Sequence, residues 1–152
     1  MADIEDIPAI IESTVKEITQ KITSELPSRG YRAANELRNA SQEILRGGRG
    51  GRSYRVPGTK ARYTASAPGE PPAVRTGAFR ASWQPKTETT GSGDNLSVRS
   101  YIESNARTDN GSYVLGSILE EGTSKMAPRP HHEKIQKEAL PKIKQIYEEP
   151  YL

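Results

Sequence analysis

Along the first 26 residues, apolar side chains recur at steps of three or four, a spacing that places them on one face of a helix. The positions are Ile4, Ile7, Ile11, Val15, Ile18, Ile22 and Leu26. Pro8 suits the first turn of such a helix, where its missing N–H is not needed. Because the residue before a proline avoids the helical conformation, Pro27 predicts that the helix ends at Leu26. We expect this long, thin helix to pack partly on a neighbouring subunit.

A second apolar stripe follows Ser28, a residue type that commonly caps the start of a helix. Its members are Tyr31, Ala34, Leu37, Ser41, Ile44 and Leu45. Near the other end of the chain, the same period predicts a C-terminal helix over 129–147. Its apolar positions are Ile135, Ala139, Ile143, Ile146 and Tyr147. Pro141 falls inside this helix and predicts a kink or an early end.

Between the helices the period changes to two, which is typical of half-buried strands. Residues 78–90 predict one strand, in which Pro85 implies an edge position or a bulge. Residues 96–104 predict a second strand, and turn signals lie at 90–95 and 109–111. The segment 113–122 fits either a strand or a short helix. The pattern predicts an α+β fold with long N-terminal amphipathic helices, a small mostly antiparallel sheet, a long basic arm and a C-terminal helix.

Residues 47–75 follow neither period. Ten of these 29 residues are Gly or Pro, and only one is acidic. Loops longer than about 12–15 residues are uncommon in compact domains, so we expect a flexible basic arm. The predicted organisation is a single domain over 1–152, with a helical region at 1–46, the arm, the sheet at 76–128 and the last helix.

Composition lowers the expected size of the hydrophobic core. Hydrophobic residues make up 33% of the chain and the mean hydropathy is −0.76, so part of the chain should be extended or should bury its apolar face against a partner. The net charge of +3 is unevenly distributed. Residues 1–28 hold six acidic and two basic residues, net −4, whereas residues 29–80 hold three and eleven, net +8. The basic block predicts an acidic or polyanionic partner.

Residue types that carry out catalysis are sparse. The chain has no Cys and only two His, His131 and His132, which are adjacent and would diverge on a helix, so we expect no shared metal. The sequence contains no P-loop, no nucleophile elbow and no dinucleotide-binding glycine motif after a strand. We therefore expect no enzymatic activity and no cofactor. Since no run of about 18 apolar residues is present, we expect no membrane partner.

Two longer motifs change this picture: SAPGEPPAVRTGAFRASW at 66–83 and, after the two strands, ILEEGTSKMAPRP at 118–130. In this order they resemble the tail-completion, or head–tail joining, proteins of long-tailed bacteriophages, also described as minor tail components. Those proteins carry Pro-Gly-x-Pro-Pro, then Thr-Gly-x-Leu/Phe-Arg-x-Ser, hydrophobic-Glu-x-Gly-Thr, and Pro-Arg-Pro or Ala-Arg-Pro before the last helix. The resemblance covers residues 28–147. It departs at His131-His132, where the family usually has an aromatic and an aliphatic residue.

The resemblance implies a structural virion protein of the phage neck or tail, which would be present in the host bacterial cytoplasm during assembly. It would help to join the DNA-filled head to the tail within a ring, with six copies favoured and twelve as the alternative. The implied partners are copies of the same chain, head-completion or connector proteins, and tail-terminator or tail-tube proteins. Genomic DNA in the lumen is a further candidate.

Carried over by position, the resemblance marks Pro68, Gly69, Pro71 and Pro72. It assigns the assembly interface to Thr76, Gly77, Phe79, Arg80, Ser82, Glu120, Gly122, Thr123, Met126, Pro128, Arg129 and Pro130. We expect Gly122 to adopt a positive φ, and Glu120 to brace the connector through Arg129. The simpler alternative, that residues 119–130 only link a strand to a helix, stays open.

The basic arm supplies the candidate contacts to DNA or to an acidic partner: Arg46, Arg49, Arg52, Arg55, Lys60 and Arg62. An alternative function follows from the same residues, namely a small nucleic-acid-binding module that uses this RGG-like arm. Tyr54 and Tyr63 would then stack on bases. A flexible linker with solvated charges explains the composition equally well.

Overall fold

The computed structural model describes residues 6–151 and has the expected α+β fold. Its elements in chain order are α1 (Ile7–Ile44), β1 (Ser53–Arg55), β2 (Arg62–Thr64), α2 (Ala78–Ala81), β3 (Trp83–Thr90), β4 (Ser97–Ser104), α3 (Leu115–Glu121) and α4 (His132–Glu148). The four strands form two antiparallel pairs, β1 with β2 and β3 with β4, rather than one sheet. Across these residues, no helix combines the length and the hydropathy needed to cross a membrane.

The two helices predicted at the N-terminus are one helix, because α1 continues through Pro27. A proline in a helix interior removes one hydrogen bond and costs about 3 kcal/mol. The part of α1 after Pro27 packs on α4, β3 and β4, and this packing outweighs the local preference for a break. Ile4, the first position of the predicted stripe, lies outside the described residues.

Small residues allow α1 to approach its neighbours closely. Ala33, Ala34 and Ala40 are buried on α1, and a Cβ on Gly30 would overlap the Val98 side chain of β4. The hydroxyl of Ser100, also on β4, donates to the carbonyl of Gly30. The core cluster consists of Ala40, Ile135 and Ala139, surrounded by Leu37, Ile44, Ile102 and Ile143. This core is small and rich in alanine, in line with the low hydrophobic content.

Arg29, a buried residue of α1, binds the C-terminal end of α4. Its guanidinium donates to the carbonyl oxygens of Ile146, Glu149 and Pro150 at 2.9, 2.6 and 2.8 Å, and it lies 3.6 Å from the centre of the Tyr151 ring. The last carbonyls of a helix have no partner within the helix and carry its negative dipole end. One buried side chain therefore satisfies the end of α4. The helix also continues through Pro141. Of the predicted kink or early end, the early end is therefore wrong.

The sheet region differs from the prediction at its start and agrees at its end. The predicted strand at 78–90 begins with the short helix α2 instead, because Gly77 turns the chain at φ 84°. Within the described residues β3 pairs only with β4, which confirms the edge position expected for Pro85. β4 forms as predicted, and the segment 113–122 is resolved as helix α3.

The segment 47–75 is not an arm without secondary structure, as the sequence predicted, because it contains the hairpin β1–β2. Tyr54 pairs with Tyr63 across the two strands, and their ring centres lie 6.0 Å apart. At the base of the hairpin, the amide of Gly51 donates to the carbonyl of Ala65 at 2.9 Å. Arg49 holds the hairpin to the body by donating to the carbonyls of Ile44, Pro71 and Pro72. Satisfying three carbonyl groups gives this glycine-rich segment a fixed attachment.

Candidate assembly interface

A groove of about 640 Å³ lies where the region around α2 meets α3 and the connector that follows α3. Its apolar lining comes mainly from Leu45, Phe79, Leu115, Leu119 and Met126. Its charged lining consists of Arg75, Arg80, Arg107, Arg129 and Asp109. Seven of the twelve predicted interface residues line the groove: Thr76, Gly77, Phe79, Arg80, Ser82, Met126 and Arg129.

Two of these arginines are held in place by hydrogen bonds. Arg80 and Gln42 exchange bonds, since Arg80 Nε donates to the Gln42 carbonyl at 2.9 Å and Gln42 Nε2 donates to the Arg80 carbonyl at 2.8 Å. Arg129 Nε donates to the hydroxyl of Ser66 at 2.9 Å, and its backbone amide donates to the Leu119 carbonyl at 2.6 Å. Both side chains are therefore ordered parts of the groove wall.

The connector, residues 122–131 between α3 and α4, contains four of the other predicted residues: Gly122, Thr123, Pro128 and Pro130. Gly122 has φ 77°, as expected. Thr123 and Met126 close a tight turn through backbone hydrogen bonds of 2.8 and 3.3 Å. The Pro-Gly-x-Pro-Pro element packs on the connector, because the amide of Gly69 donates to the Pro128 carbonyl at 3.3 Å. Motifs far apart in sequence thus meet at one place.

Glu120, the twelfth predicted residue, caps α4 and does not pair with Arg129. Its Oε2 accepts hydrogen bonds from the backbone amides of His131 and His132 at 2.8 and 3.2 Å. A carboxylate at the positive end of a helix is well placed for this role. Partial burial opposes ionisation, but the two amide donors and the neighbouring imidazoles outweigh it, so the pKa of Glu120 lies below its usual value. The predicted Glu120–Arg129 brace is wrong because the amides of α4 lie within reach of this carboxylate.

His131 and His132 do not diverge, contrary to the prediction, because His131 precedes the helix with φ −140° and ψ −25°. Their ring centres lie 4.6 Å apart, and their nitrogens lie within 4.8 Å of a Glu120 oxygen and of each other. His131 Nδ1 is already 3.0 Å from the Arg129 carbonyl and 2.9 Å from Glu120 Oε2. Because a carbonyl requires a donor, this nitrogen carries the hydrogen and is not free to bind a metal.

His131 is fully buried beneath an aromatic cluster that sequence reasoning missed. Its ring lies edge-on to Phe79 and Trp83, with ring-centre distances of 5.7 and 5.9 Å, and Phe79 also meets Trp83 at 5.7 Å. Burial lowers the pKa of His131, against the opposing effect of the Arg129 carbonyl and Glu120. The cluster joins α2, β3 and the start of α4, so it fixes the groove wall. The only feature of the sequence that pointed to this cluster was that His131-His132 departs from the family pattern.

The six basic residues predicted to meet DNA or an acidic partner fall into different groups. Arg49 is used within the fold, and Arg46 lies 3.7 Å from Glu43. The remaining four are exposed on the hairpin: Arg52, Arg55, Lys60 and Arg62. Arg62 also donates to the hydroxyl of Ser53 at 3.2 Å. The hairpin, rather than the whole segment, is therefore the basic surface.

Comparison with known proteins identifies no relative of this chain. No family model matches the chain, and no curated protein or solved structure matches it. The functional assignment consequently depends on the arrangement of the residues and on the resemblance of the motifs.

Proposed function

We propose that this chain is a structural virion protein of a tailed bacteriophage, a neck or tail-completion component that helps to join the DNA-filled head to the tail within an oligomeric ring. The observation that carries the proposal is the convergence of the motifs that resemble this family. Residues 66–72, 76–82 and 119–130 are separate in sequence, yet all three contribute to the lining of the groove. Ser66 also bonds to Arg129, and Gly69 to Pro128. Such convergence is expected if the motifs build one surface.

The chemistry of this surface supports a binding role rather than catalysis. The groove combines an apolar lining with ordered arginines, a combination that is common in protein–protein interfaces. The oxygen of Glu120 and Nδ1 of His131 are engaged in hydrogen bonds within the fold. We therefore propose that the chain is not an enzyme. Hydrolase or nuclease turnover that disappears in His131→Ala, assayed with and without divalent metals, would contradict this.

The connector offers a specific test of the joining function. Replacing both Pro128 and Pro130 by Ala should loosen the connector at a loss of about 1 kcal/mol, mainly through the unfolded chain. The subunit should still fold, as judged by thermal unfolding, but should complement a phage that lacks the gene poorly. Complementation at wild-type efficiency would show that the connector is only a loop. Electron microscopy and light scattering would separately establish whether a ring forms and whether it contains six or twelve copies.

The hairpin favours one alternative function, a nucleic-acid-binding module. It exposes Tyr54 together with four basic residues, and aromatic rings among cations suit single-stranded nucleic acid. Binding should then be independent of sequence and steeply salt-dependent, because it releases counterions. Replacing Arg52, Arg55 and Arg62 by Gln should flatten the salt dependence, whereas Arg46→Gln serves as the control outside the hairpin. An unchanged slope would remove the hairpin from DNA contact.

A further inference from the structure

The first half of α1 presents apolar side chains to solvent. Ile7, Ile10, Ile11 and Val15 are 48, 48, 56 and 55% exposed, and every residue from 6 to 17 is exposed. Ile7, Ile11 and Val15 are spaced by four and lie on one face of the helix. Exposed apolar surface of this kind, on a chain with a small core, marks an interaction site.

The charges of this segment complement those of the groove. Residues 6–17 contain Asp6, Glu12 and Glu17 against Lys16, net −2. At 100° per residue, Glu12 and Glu17 flank the apolar face on opposite sides. The charged residues that line the groove are four arginines and one aspartate, net +3. An apolar face flanked by acids therefore matches an apolar groove edged by arginines.

The two surfaces cannot meet within one chain. Leu45, which follows the last residue of α1, lines the groove, whereas Ile7 begins the same helix. At 1.5 Å per residue the 38-residue helix is about 57 Å long. Because the part of α1 after Pro27 is packed against the body, the helix cannot fold back on its own groove. A contact between these surfaces therefore requires a second copy.

We propose that residues 7–17 of α1 seat in the groove of a second copy of the chain, with Ile7, Ile11 and Val15 on its apolar lining and the acidic flanks beside its arginines. The choice of a second copy as the occupant rests on the proposed ring function. A contact between two different surfaces of one chain is head-to-tail, and such contacts close into rings when the rotation between neighbours allows. An amphipathic helix in an apolar groove is a common mode of recognition.

The experiment uses the full chain and two variants at exposed positions, Ile11→Asp on the helix and Val74→Asp on the groove, with Leu140→Asp on α4 as the matched control. Sedimentation velocity should show concentration-dependent association for the wild type and for the control. Each interface variant alone should stay monomeric at concentrations where the wild type associates. This corresponds to an apparent dissociation constant for self-association that is at least tenfold higher than that of the wild type. Circular dichroism should show that all variants fold.

Mixing the two interface variants provides the decisive measurement. The groove of Ile11→Asp and the helix of Val74→Asp remain intact, so the mixture should form a one-to-one dimer that does not grow further. A mixture that stays monomeric would overturn the proposal. So would loss of association in Ile11→Asp while Val74→Asp still associates like the wild type, because that result indicates pairing of two α1 helices. A wild-type chain that is monomeric at every concentration would overturn it too.

Phage complementation separates this contact from the function on which it rests. If the interface variants join heads to tails at wild-type efficiency, the contact is wrong and the proposed function stands. If the mixed dimer forms but the wild-type gene does not restore joining, the contact stands and the proposed function is wrong.

Discussion

At the residue scale, two glycines with similar positive φ values differ in what surrounds them. Gly122 in the connector has φ 77° and Gly58 in the hairpin has φ 75°. A Cβ on Gly122 would lie 2.7 Å from the Met126 oxygen and 2.8 Å from the Pro128 nitrogen, whereas nothing lies within 4 Å of a Cβ on Gly58. Only the connector glycine is therefore required by its surroundings as well as by its backbone.

We predict that Gly122→Ala destabilises the protein more than Gly58→Ala. Both substitutions should lose about 1 kcal/mol or more because an L-residue at positive φ is strained, and Gly122 also has ψ −177°, a combination that only glycine adopts readily. Gly122→Ala should lose more, since backbone atoms of the connector must move to make room. Urea denaturation of the two variants measures the difference. Equal losses in the free energy of unfolding would contradict the prediction, because they would mean that the connector backbone moves to accommodate the new Cβ without a measurable loss of stability.

The buried imidazole of His131 predicts a pH dependence of stability. Its pKa lies below the ordinary value of 6.5, so near that pH the unfolded chain takes up a proton and the folded protein does not. The free energy of unfolding should therefore decrease as the pH falls through this range. The pKa of Glu120 is lowered from 4.5, so its stabilisation is present above that pH and is lost only at lower pH.

We predict that His131→Gln is less stable than the wild type but loses this part of the pH dependence between about pH 7.5 and 5.5. Leu140→Gln, at an exposed position of α4 eight residues beyond His132, is the control and should keep the wild-type slope. Urea denaturation at several pH values measures both. A wild-type slope in His131→Gln would place the titrating group elsewhere.

At the scale of elements, α4 is held at both ends by side chains from other elements. Glu120 of α3 caps its start, and Arg29 of α1 satisfies its last carbonyls. Arg32, one helical turn further along α1, makes an exposed ion pair with Glu149 at 2.7 Å. The two arginines contact the same end of α4 but differ in burial, so they allow a matched comparison.

Arg29→Met should destabilise the protein by about 1–3 kcal/mol, because it leaves one buried and two partly buried carbonyl groups without this donor. Arg32→Met should lose much less, since exposed ion pairs contribute little. Chemical denaturation of both variants tests the ranking. Similar losses would mean that water replaces the buried guanidinium.

The elements could be predicted from the sequence wherever one local signal decided the outcome. The apolar periods predicted α1 and α4, and the alternation predicted β4. The predicted break at Pro27 failed because tertiary packing outweighed a local preference, and the hairpin was missed because Arg49 orders it through bonds to distant carbonyls. A sequence does not show which carbonyl a side chain will reach.

Residues that the resemblance selected meet in the fold, but their individual contacts could not be predicted from the sequence. The resemblance selected residues of the groove and the connector, such as Phe79 and Arg129. It gave Glu120 the wrong partner, because proximity along the chain favoured Arg129 while the fold brought the α4 amides closer. Arg29 carried no signal, since a charged residue on an amphipathic helix is usually solvated.

On the scale of the whole molecule, α1 has a packed half and an exposed half. Residues 29–44 contact α4 and the β3–β4 sheet, whereas the apolar face of residues 7–17 is exposed. The two halves therefore differ in what holds them. A helix end without tertiary contacts opens easily, because most helical stability in proteins comes from packing.

We predict that the backbone amides of residues 10–20 exchange with solvent far faster than those of residues 33–43 in dilute protein. Protection of the first segment should rise with protein concentration if it seats in a second copy, because binding stabilises the bound state. Hydrogen exchange at two concentrations measures this, with the second segment as internal reference. Uniform protection at low concentration would indicate an independently stable helix.

Pro27 lies between the exposed residues 7–17 and the packed residues 29–44, and α1 can bend there because the proline removes one helical hydrogen bond. Twenty residues separate it from Ile7, so a bend of about 10° there swings the tip by roughly 5 Å. Neighbours in a closed ring turn by about 60° for six copies and about 30° for twelve. Bending of α1 at Pro27 can absorb part of this difference in angle between the two kinds of ring without repacking the core. The copy number of the proposed ring thus depends partly on bending stiffness at one proline.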